Sequence, residues 1–180
     1  MNISCTPVIK SETEIRESIC SEGKFNLNWL FTRNCKIRNI ELRYVEYFML
    51  KYNMVHNVKG FSFRTKKQEV AARQPIYLLG NGSTGAVSYM EIQPKIVSMN
   101  LDPHQLQPAD YSVESMNGNA RLVMMKVFRR TIGGRIPSFE LVNSVSFYRP
   151  FWLIYYDKMR EDGKSLCAVR AADGYSVQKF

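Results

Sequence analysis

Side chains suited to acid–base or metal chemistry are few in this sequence. The two histidines, His56 and His104, do not stand in an HExxH or His-x-x-Glu spacing, which are patterns that bring metal ligands and a general base together. The cysteines show no CxxC spacing and no Cys/His pair of zinc-finger spacing; they are Cys5, Cys20, Cys35 and Cys167. We therefore predict no metal site, no cofactor and structural thiols in a reducing compartment.

The glycine-rich segment 80–85 (GNGSTG) lacks the Gly-Lys-Ser/Thr ending of a phosphate loop and precedes a strand pattern, so a hairpin turn is the better interpretation. No Gly-x-Ser-x-Gly nucleophile motif occurs. Glu46 is the one carboxylate within an aromatic strand pattern, where burial would shift its pKa, and one carboxylate does not make an acid–base pair. The sequence predicts no catalytic residues and a protein that is not an enzyme; a hydrolase is the third alternative.

Residues 59–63 (KGFSF) resemble the start of the RNP1 signature of RNA-recognition motifs, and residues 30–34 are distantly similar to RNP2. The resemblance implies aromatic rings on a basic sheet, on which unpaired bases stack. The spacing between the two segments argues against that family, which needs a helix, a strand and a loop between them. A basic single-stranded nucleic-acid (RNA) binding protein is the alternative function, with these candidate residues: Lys59, Phe61, Phe63 and Arg64.

The formal net charge of +9 is the largest departure from an average composition. Such a charge favours nucleic acid, an anionic lipid surface or an acidic protein as the partner. The Lys and Arg residues are spread along the chain, and the densest groups, at 64–67 and 129–130, are short. A solvated basic face without a dedicated partner is the other interpretation.

With 180 residues and 45% hydrophobic content, the chain can bury a core of its own. Its first residues lack the basic segment and apolar run of a signal peptide. The longest apolar stretch, 150–156, is far shorter than the roughly 20 residues that span a bilayer. We therefore expect no transmembrane segment and a cytoplasmic protein.

Local patterns predict several elements. A capping box at 11–14 (SETE) predicts a helix over 12–21. Apolar residues at helical spacing predict a second helix over 119–131 that buries Val123, Val127 and Phe128. The segments 75–79 and 86–90 predict a hairpin with an Asn-Gly turn. Residues 164–170 and 175–180 predict two short strands about an Asp-Gly turn.

The aromatic segment 44–52 (YVEYFMLKY) aligns without gaps on 148–156 (YRPFWLIYY), with tyrosines at both ends. Pro150 is unfavourable inside a helix, so the alignment favours strands for both segments. The order of predicted elements is also the same in both halves: a helix, a connection, the aromatic strand, and further strands that end in an Asn-Gly or Asp-Gly turn. We predict an internal duplication with a first helix-plus-sheet unit over 1–99, a connection over 100–118 and a second unit over 119–180.

At these residues the chain resembles PepSY-like and cystatin-like modules. The resemblance is carried by 148–152 (YRPFW) and the Asp173-Gly174 pair in the second half, whereas the first half has Glu46 and Asn81 at the matching positions. It implies an α+β fold of two related units, each a helix packed on a curved antiparallel sheet. It also implies binding, inhibition or scaffolding and not catalysis.

Together these observations predict a non-enzymatic binding or structural module. It would act through a protein partner, or through self-association, across an exposed sheet edge. The candidate partner-binding residues lie in or near the two aromatic segments and are Tyr44, Arg149, Trp152 and Tyr156. The alternative for the aromatic members of this set is that they belong to the core or to a sheet face.

Overall fold

The computed structural model describes residues 1–21, 35–59, 69–128, 137–160 and 162–175. Its helices are α1 (Glu12–Ser21) and α2 (Val113–Phe128), with a 3₁₀ turn at Pro103–Gln105. Its strands are β1 (Asn2–Cys5), β2 (Ile37–Lys59), β3 (Glu69–Asn81), β4 (Val87–Tyr89), β5 (Val97–Asn100), β6 (Leu106–Gln107), β7 (Ser138–Met159) and β8 (Ser165–Ala171).

These eight strands form one mixed sheet in the order β4-β3-β2-β7-β1-β5, with β6 beside β2 and β8 beside β7. The predicted fold class, two related units each made of a helix on a curved antiparallel sheet, is therefore wrong: a single large sheet dominates the described chain. The physical reason is the length of β2 and β7, 23 and 22 residues. Each of the aromatic segments is only the middle or the end of a much longer strand.

Contacts divide the chain into two compact units that are not contiguous in sequence. Unit 1 contains Met1–Glu46, Pro94–Gln107 and Phe147–Ser176. Unit 2 contains, among the described residues, Tyr47–Gln93 and Pro108–Ser146. This division differs from the predicted boundaries at 99 and 119, because β2 and β7 each contribute residues to both units.

Helix α1 of unit 1 forms as its capping box predicts. The Ser11 backbone N–H donates to Glu14 Oε2 at 2.7 Å, and the Glu14 N–H donates to Ser11 Oγ at 3.3 Å. These reciprocal bonds satisfy amides that the first helical turn leaves without partners. Ile15 then packs with Ile154 and Tyr156 of β7, so the apolar side of α1 covers one face of the β7–β8 pair.

Helix α2 of unit 2 begins at Val113, six residues before the predicted start, and the described part ends at Phe128. Its buried side chains are Met116, Ala120 and Met124, whereas the three predicted to be buried are only partly so. Asn117 and Gly118 are weak helix formers that obscured the beginning of the helix in the sequence. Tertiary contacts compensate, since the Tyr52 hydroxyl donates to Asn117 Oδ1 at 2.9 Å.

The hairpin in unit 2 is confirmed: β3 pairs antiparallel with β4, with Leu78 opposite Tyr89 and Gly80 opposite Val87. The positive φ of its turn lies at Gly85, at 67°, and not in the Asn-Gly pair. Buried side chains of β2, β3 and α2 form the main cluster of this unit; they are Leu50, Tyr52, Met54, Ile76, Leu78, Ala120 and Met124.

In unit 1, β8 agrees with the strand predicted over 164–170, and the following turn contains Gly174 with φ of 71°. The second predicted strand, 175–180, lies outside the described residues except for Tyr175. Strand β1 pairs with β5 and, at Cys5, with Tyr148 of β7. None of the helices in the described part of the chain is long and apolar enough to cross a membrane.

Candidate functional site

Strand β8 has β7 as its one neighbour among the described strands. The pairing is antiparallel and runs from Phe151 opposite Ala171 to Tyr155 opposite Cys167, followed by an irregularity before Met159. No described strand pairs with the other side of β8, so this side is an edge within the described part of the sheet. Val169 is 53% exposed there, which is unusual for a valine in the middle of a strand.

The register fixes which backbone groups of β8 point outward. The Ala172 N–H donates to the Pro150 carbonyl at 3.0 Å, and the same register continues along β8. Because hydrogen-bonded and non-hydrogen-bonded pairs alternate in an antiparallel ladder, every second residue of β8 turns its N–H and C=O away from β7. These residues are Cys167, Val169 and Ala171, and we call their outward backbone the β8 edge.

A groove of about 420 Å³ runs between α1 and the end of β8, within unit 1. It is lined by Lys10, Glu14, Ile15, Ser18, Arg170, Ala171, Gly174 and Tyr175. Ile15 is 3% exposed and supplies an apolar floor. Ala171 belongs both to the β8 edge and to the groove, so the two features are continuous. We call this the α1–β8 groove.

The described lining of the groove carries charges of both signs. Lys10 and Arg170 are cationic, and Glu14 is the carboxylate among the described lining residues. Glu14 Oε2 already accepts from the backbone N–H of Ser11 at 2.7 Å and from its hydroxyl at 3.0 Å. The bond from the Ser11 backbone is the main cause that lowers the pKa of the Glu14 carboxyl. The Glu14 carboxylate therefore acts as the hydrogen-bond acceptor in the cap of α1.

A buried ion pair lies behind the end of the groove. Arg149 Nε donates to Asp173 Oδ2 at 2.7 Å and Arg149 Nη2 to Oδ1 at 2.9 Å, with 2% and 0% of the two side chains exposed. The Thr6 hydroxyl adds a bond to Asp173 Oδ2 at 2.9 Å. This bidentate geometry with a further donor is what a buried carboxylate requires.

The ion pair holds the groove wall in place through Tyr175. Asp173 Oδ1 accepts from the Tyr175 N–H at 3.2 Å, and Arg149 Nη2 donates to the Tyr175 carbonyl at 2.9 Å. The Tyr175 hydroxyl accepts from the Lys95 backbone N–H at 3.0 Å. Both ends of this residue are thus fixed, so we assign Arg149 and Asp173 a positioning role toward the groove.

Lys10 is also held through its backbone. Its N–H donates to the Ala172 carbonyl at 2.9 Å, and its carbonyl accepts from the indole Nε1 of Trp152 at 2.9 Å. The side chain itself is exposed. The ammonium group therefore extends from a fixed backbone into solvent beside the groove.

The four predicted partner-binding residues have different surroundings. Tyr44, Arg149 and Tyr156 are buried, with 2%, 2% and 4% exposed, whereas Trp152 is partly exposed. Burial raises the pKa of the Tyr44 phenol. The partner-binding role stays a prediction, and Trp152 is the member that a partner could reach in this conformation.

The residues of the alternative nucleic-acid site are mostly outside the described chain. Lys59 ends β2, where its backbone pairs with Glu69 of β3. Phe61, Phe63 and Arg64 lie in the segment 60–68, beyond the described residues. This site also stays a prediction.

Sequence reasoning missed Lys10, Arg170 and Tyr175 as a set. Each belongs to a segment whose local structure was interpreted separately, and no spacing in the sequence connects Lys10 with Arg170. The sequence indicated that a sheet edge would be exposed, but it did not indicate which strand forms that edge. Within the described residues, no group of three His, Cys, Asp or Glu side chains is placed to hold a metal ion.

Comparisons with known proteins identify no relative of this chain. No protein-family model, no curated protein and no solved structure matches the chain.

Proposed function

We propose that the protein is a non-enzymatic binding module that accepts an extended segment of a protein partner as an additional strand on β8. The observation that carries the proposal is that β8, a strand of seven residues, pairs with β7 alone among the strands that the structure describes. The added strand would hydrogen-bond to the β8 edge and place side chains in the α1–β8 groove.

Strand addition suits this edge for a physical reason. Main-chain hydrogen bonds to an exposed edge supply affinity, and pockets for alternate side chains supply specificity. The outward groups of Cys167, Val169 and Ala171 supply donors and acceptors, and the neighbouring groove has an apolar floor at Ile15. Long edges without cover are avoided in proteins that do not use them, because they invite pairing with other chains.

A different protein is favoured over a second copy of this chain. Two copies, each with a net charge of +9, repel one another as they approach. A partner with acidic character would be attracted instead.

The proposal is tested with linear peptides selected from a displayed random library against the whole protein. We expect Val169→Pro to weaken binding of the selected peptides by at least about tenfold, because proline removes one outward N–H without removing a bond to β7. The matched control is Val169→Thr, which keeps the backbone donor and a β-branched side chain. Hydrogen exchange should show new protection of the Cys167, Val169 and Ala171 amides when peptide is added.

Three results would contradict the proposal. The library could give no binders, the selected peptides could bind Val169→Pro as tightly as the parent, or protection could appear elsewhere in the chain. Sedimentation is measured on the same samples. Self-association that Val169→Pro abolishes would make a second copy the occupant of the edge and overturn the choice of a different protein.

A further inference from the structure

We propose that residues 141–145 of β7 pair antiparallel with the same residues of a second copy of this chain, about a two-fold axis at Asn143. We call these residues (LVNSV) the β7 segment. The β7 segment belongs to unit 2, whereas the β8 edge and the α1–β8 groove are formed by residues of unit 1. The inference therefore goes beyond the proposed function and does not depend on it.

The β7 segment is exposed on both of its faces. All of its residues are exposed, and the apolar ones, Leu141, Val142 and Val145, are 42%, 51% and 38% exposed. The second half of the same strand differs, because Ile154 and Tyr156 there are buried beneath α1. Since successive side chains of a strand point to opposite faces, neither face of the sheet is covered at the β7 segment.

One side of the β7 segment has no neighbour among the described strands. Strand β2 lies beside β7 on one side and β1 on the other. The register of β1 with β7 consists of Cys5 opposite Tyr148, which lies beyond the end of the segment. Within the described part of the chain, the β7 segment therefore presents an edge to which a strand of another molecule can be added.

The sequence around the β7 segment lacks the residues that usually protect a sheet edge. Proteins prevent edge-to-edge pairing with lysine, proline or other charged side chains along an exposed edge. Residues 138–148 (SFELVNSVSFY) contain no Lys, Arg or Pro, although the chain has 25 Lys and Arg residues. Glu140, just before the segment, is their one charged residue. The edge is thus exposed in a part of the chain from which basic charge is missing.

The β7 segment is complementary to itself in the antiparallel orientation. With Asn143 on the two-fold axis, Leu141 of each copy lies opposite Val145 of the other, so the apolar pair is formed twice. These three side chains share one face of the strand. The Asn143 amide has both donors and an acceptor, so it is able to hydrogen-bond to its symmetry mate. A second copy therefore supplies a matching chemical group at each of these positions.

The net charge of +9 acts weakly at this contact. At physiological salt, exposed charges that are more than about 8 Å apart are largely screened from one another. The β7 segment brings no cation next to its copy. Glu140 of one copy lies opposite residue 146 of the other, so the two Glu140 residues are about 20 Å apart along the strands. Because salt screens the remaining repulsion, raising the salt concentration should strengthen the dimer.

The test is sedimentation equilibrium of the whole protein over a range of protein and salt concentrations. We expect a monomer–dimer equilibrium that shifts toward the dimer as salt is raised. Val142→Lys should weaken the dimer by at least about tenfold, because it places two cations diagonally across the axis, about 7–8 Å apart. The matched control is Val142→Thr, which keeps a β-branched side chain and should leave the dissociation constant nearly unchanged. Circular dichroism verifies the fold of each variant.

Oxidative cross-linking tests the position of the axis. In Asn143→Cys the introduced thiols of the two copies face each other, within the range of about 4.4–6.8 Å between Cα atoms that a disulfide spans. Non-reducing electrophoresis should then show a disulfide-linked dimer. Leu141→Cys is the control with the same native cysteines, because its introduced thiols lie about 13 Å apart along the strands.

Three results would overturn the proposal. The protein could remain a monomer at every protein and salt concentration, or Leu141→Cys could cross-link as readily as Asn143→Cys. Self-association could also persist in Val142→Lys and be lost in Val169→Pro, which would locate the contact on β8. Peptides selected for the β8 edge should bind Val142→Lys as tightly as the parent, so failure of the dimer and failure of strand addition are measured separately.

Discussion

At the scale of single residues, the Arg149–Asp173 pair connects stability with the candidate site. Both side chains are almost fully buried, and three of their hydrogen bonds come from or go to groups outside the pair. Removing one partner would leave the other charge buried without compensation. The same change would release Tyr175, which forms the groove wall.

We expect Arg149→Ala to lower the free energy of unfolding by about 3–5 kcal/mol, the cost of breaking a buried ion pair by removing one partner. The measurement is urea denaturation followed by circular dichroism. Arg16→Ala is the control, because Arg16 pairs with Glu12 at 2.8 Å on the exposed side of α1. An exposed helical pair of this kind contributes only about 0.3–0.5 kcal/mol. Similar losses for the two variants would refute the structural role of Arg149.

The carboxyl group of Glu14 leads to a prediction about how the stability of the protein depends on pH. Its folded-state pKa is lowered below the ordinary value of a glutamate, chiefly by the Ser11 backbone bond. The contribution of the cap to stability is therefore complete above about pH 4.3 and is lost as the pH falls through the lower folded-state pKa. We expect Glu14→Gln to destabilise the protein at neutral pH and to approach the parent in strongly acidic solution.

Denaturation curves collected across this pH range test the cap prediction. Glu17 is a second exposed glutamate on α1, and Glu17→Gln controls for the loss of one negative charge from the helix. A constant difference between Glu14→Gln and the parent at every pH would show that the carboxylate does not act through the cap.

At the scale of elements, the contact between α2 and β3 in unit 2 leaves little room. A Cβ added at Gly80 would lie 2.7 Å from the Met116 sulfur, and Met116 is completely buried. Glycine at this position therefore lets helix and strand approach closely. Gly118 in the same helix has open space around it and offers a comparison.

We expect Gly80→Ala to destabilise the protein by about 1–3 kcal/mol, since overpacking a core displaces its neighbours. The cost should shrink in a Met116→Ala background, which gives a double-mutant coupling of about 0.5–3 kcal/mol. Gly118→Ala should instead stabilise by about 0.5–1 kcal/mol, because alanine favours a helix interior. Additive effects of Gly80→Ala and Met116→Ala would contradict the close contact.

The elements that the sequence predicted correctly are those whose signals are local. The cap of α1, the β3–β4 hairpin and strand β8 depend on residues within about ten positions of one another. The start of α2 was missed because the contacts of Met116 and Asn117 outweigh the weak helix propensity around Gly118. The α1–β8 groove could not be predicted, since it needs Lys10 and Arg170 to meet and nothing local connects them.

At the scale of the whole molecule, bonding patterns recur in the two parts of the sequence. Cys5 pairs in parallel with Tyr148, and Leu106 pairs in parallel with Tyr44. The Ala172 carbonyl accepts from the two residues that precede Ser11 and α1, and the Gly82 carbonyl accepts from the two that precede Ser112 and α2. In both parts the paired tyrosine is the first residue of the aligned aromatic segment.

The internal duplication stays a prediction, and the register refines its alignment. Tyr47 lies opposite Asn81, and Phe151 lies opposite Ala171. Asn81 therefore corresponds to Ala171, two residues before the predicted counterpart Asp173. A shift of two residues keeps each side chain on the same face of a sheet, whereas a shift of one would reverse it.

The bond between Thr6 and Asp173 joins residues 167 positions apart. At a synthesis rate of about 5–20 residues per second, the second partner follows the first by roughly 10–30 s. Until β7 has been synthesised, Ile15 of α1 lacks Ile154 and Tyr156, the buried residues it packs against in the folded protein. Helix α1 therefore reaches its packed position only after β7 has been synthesised.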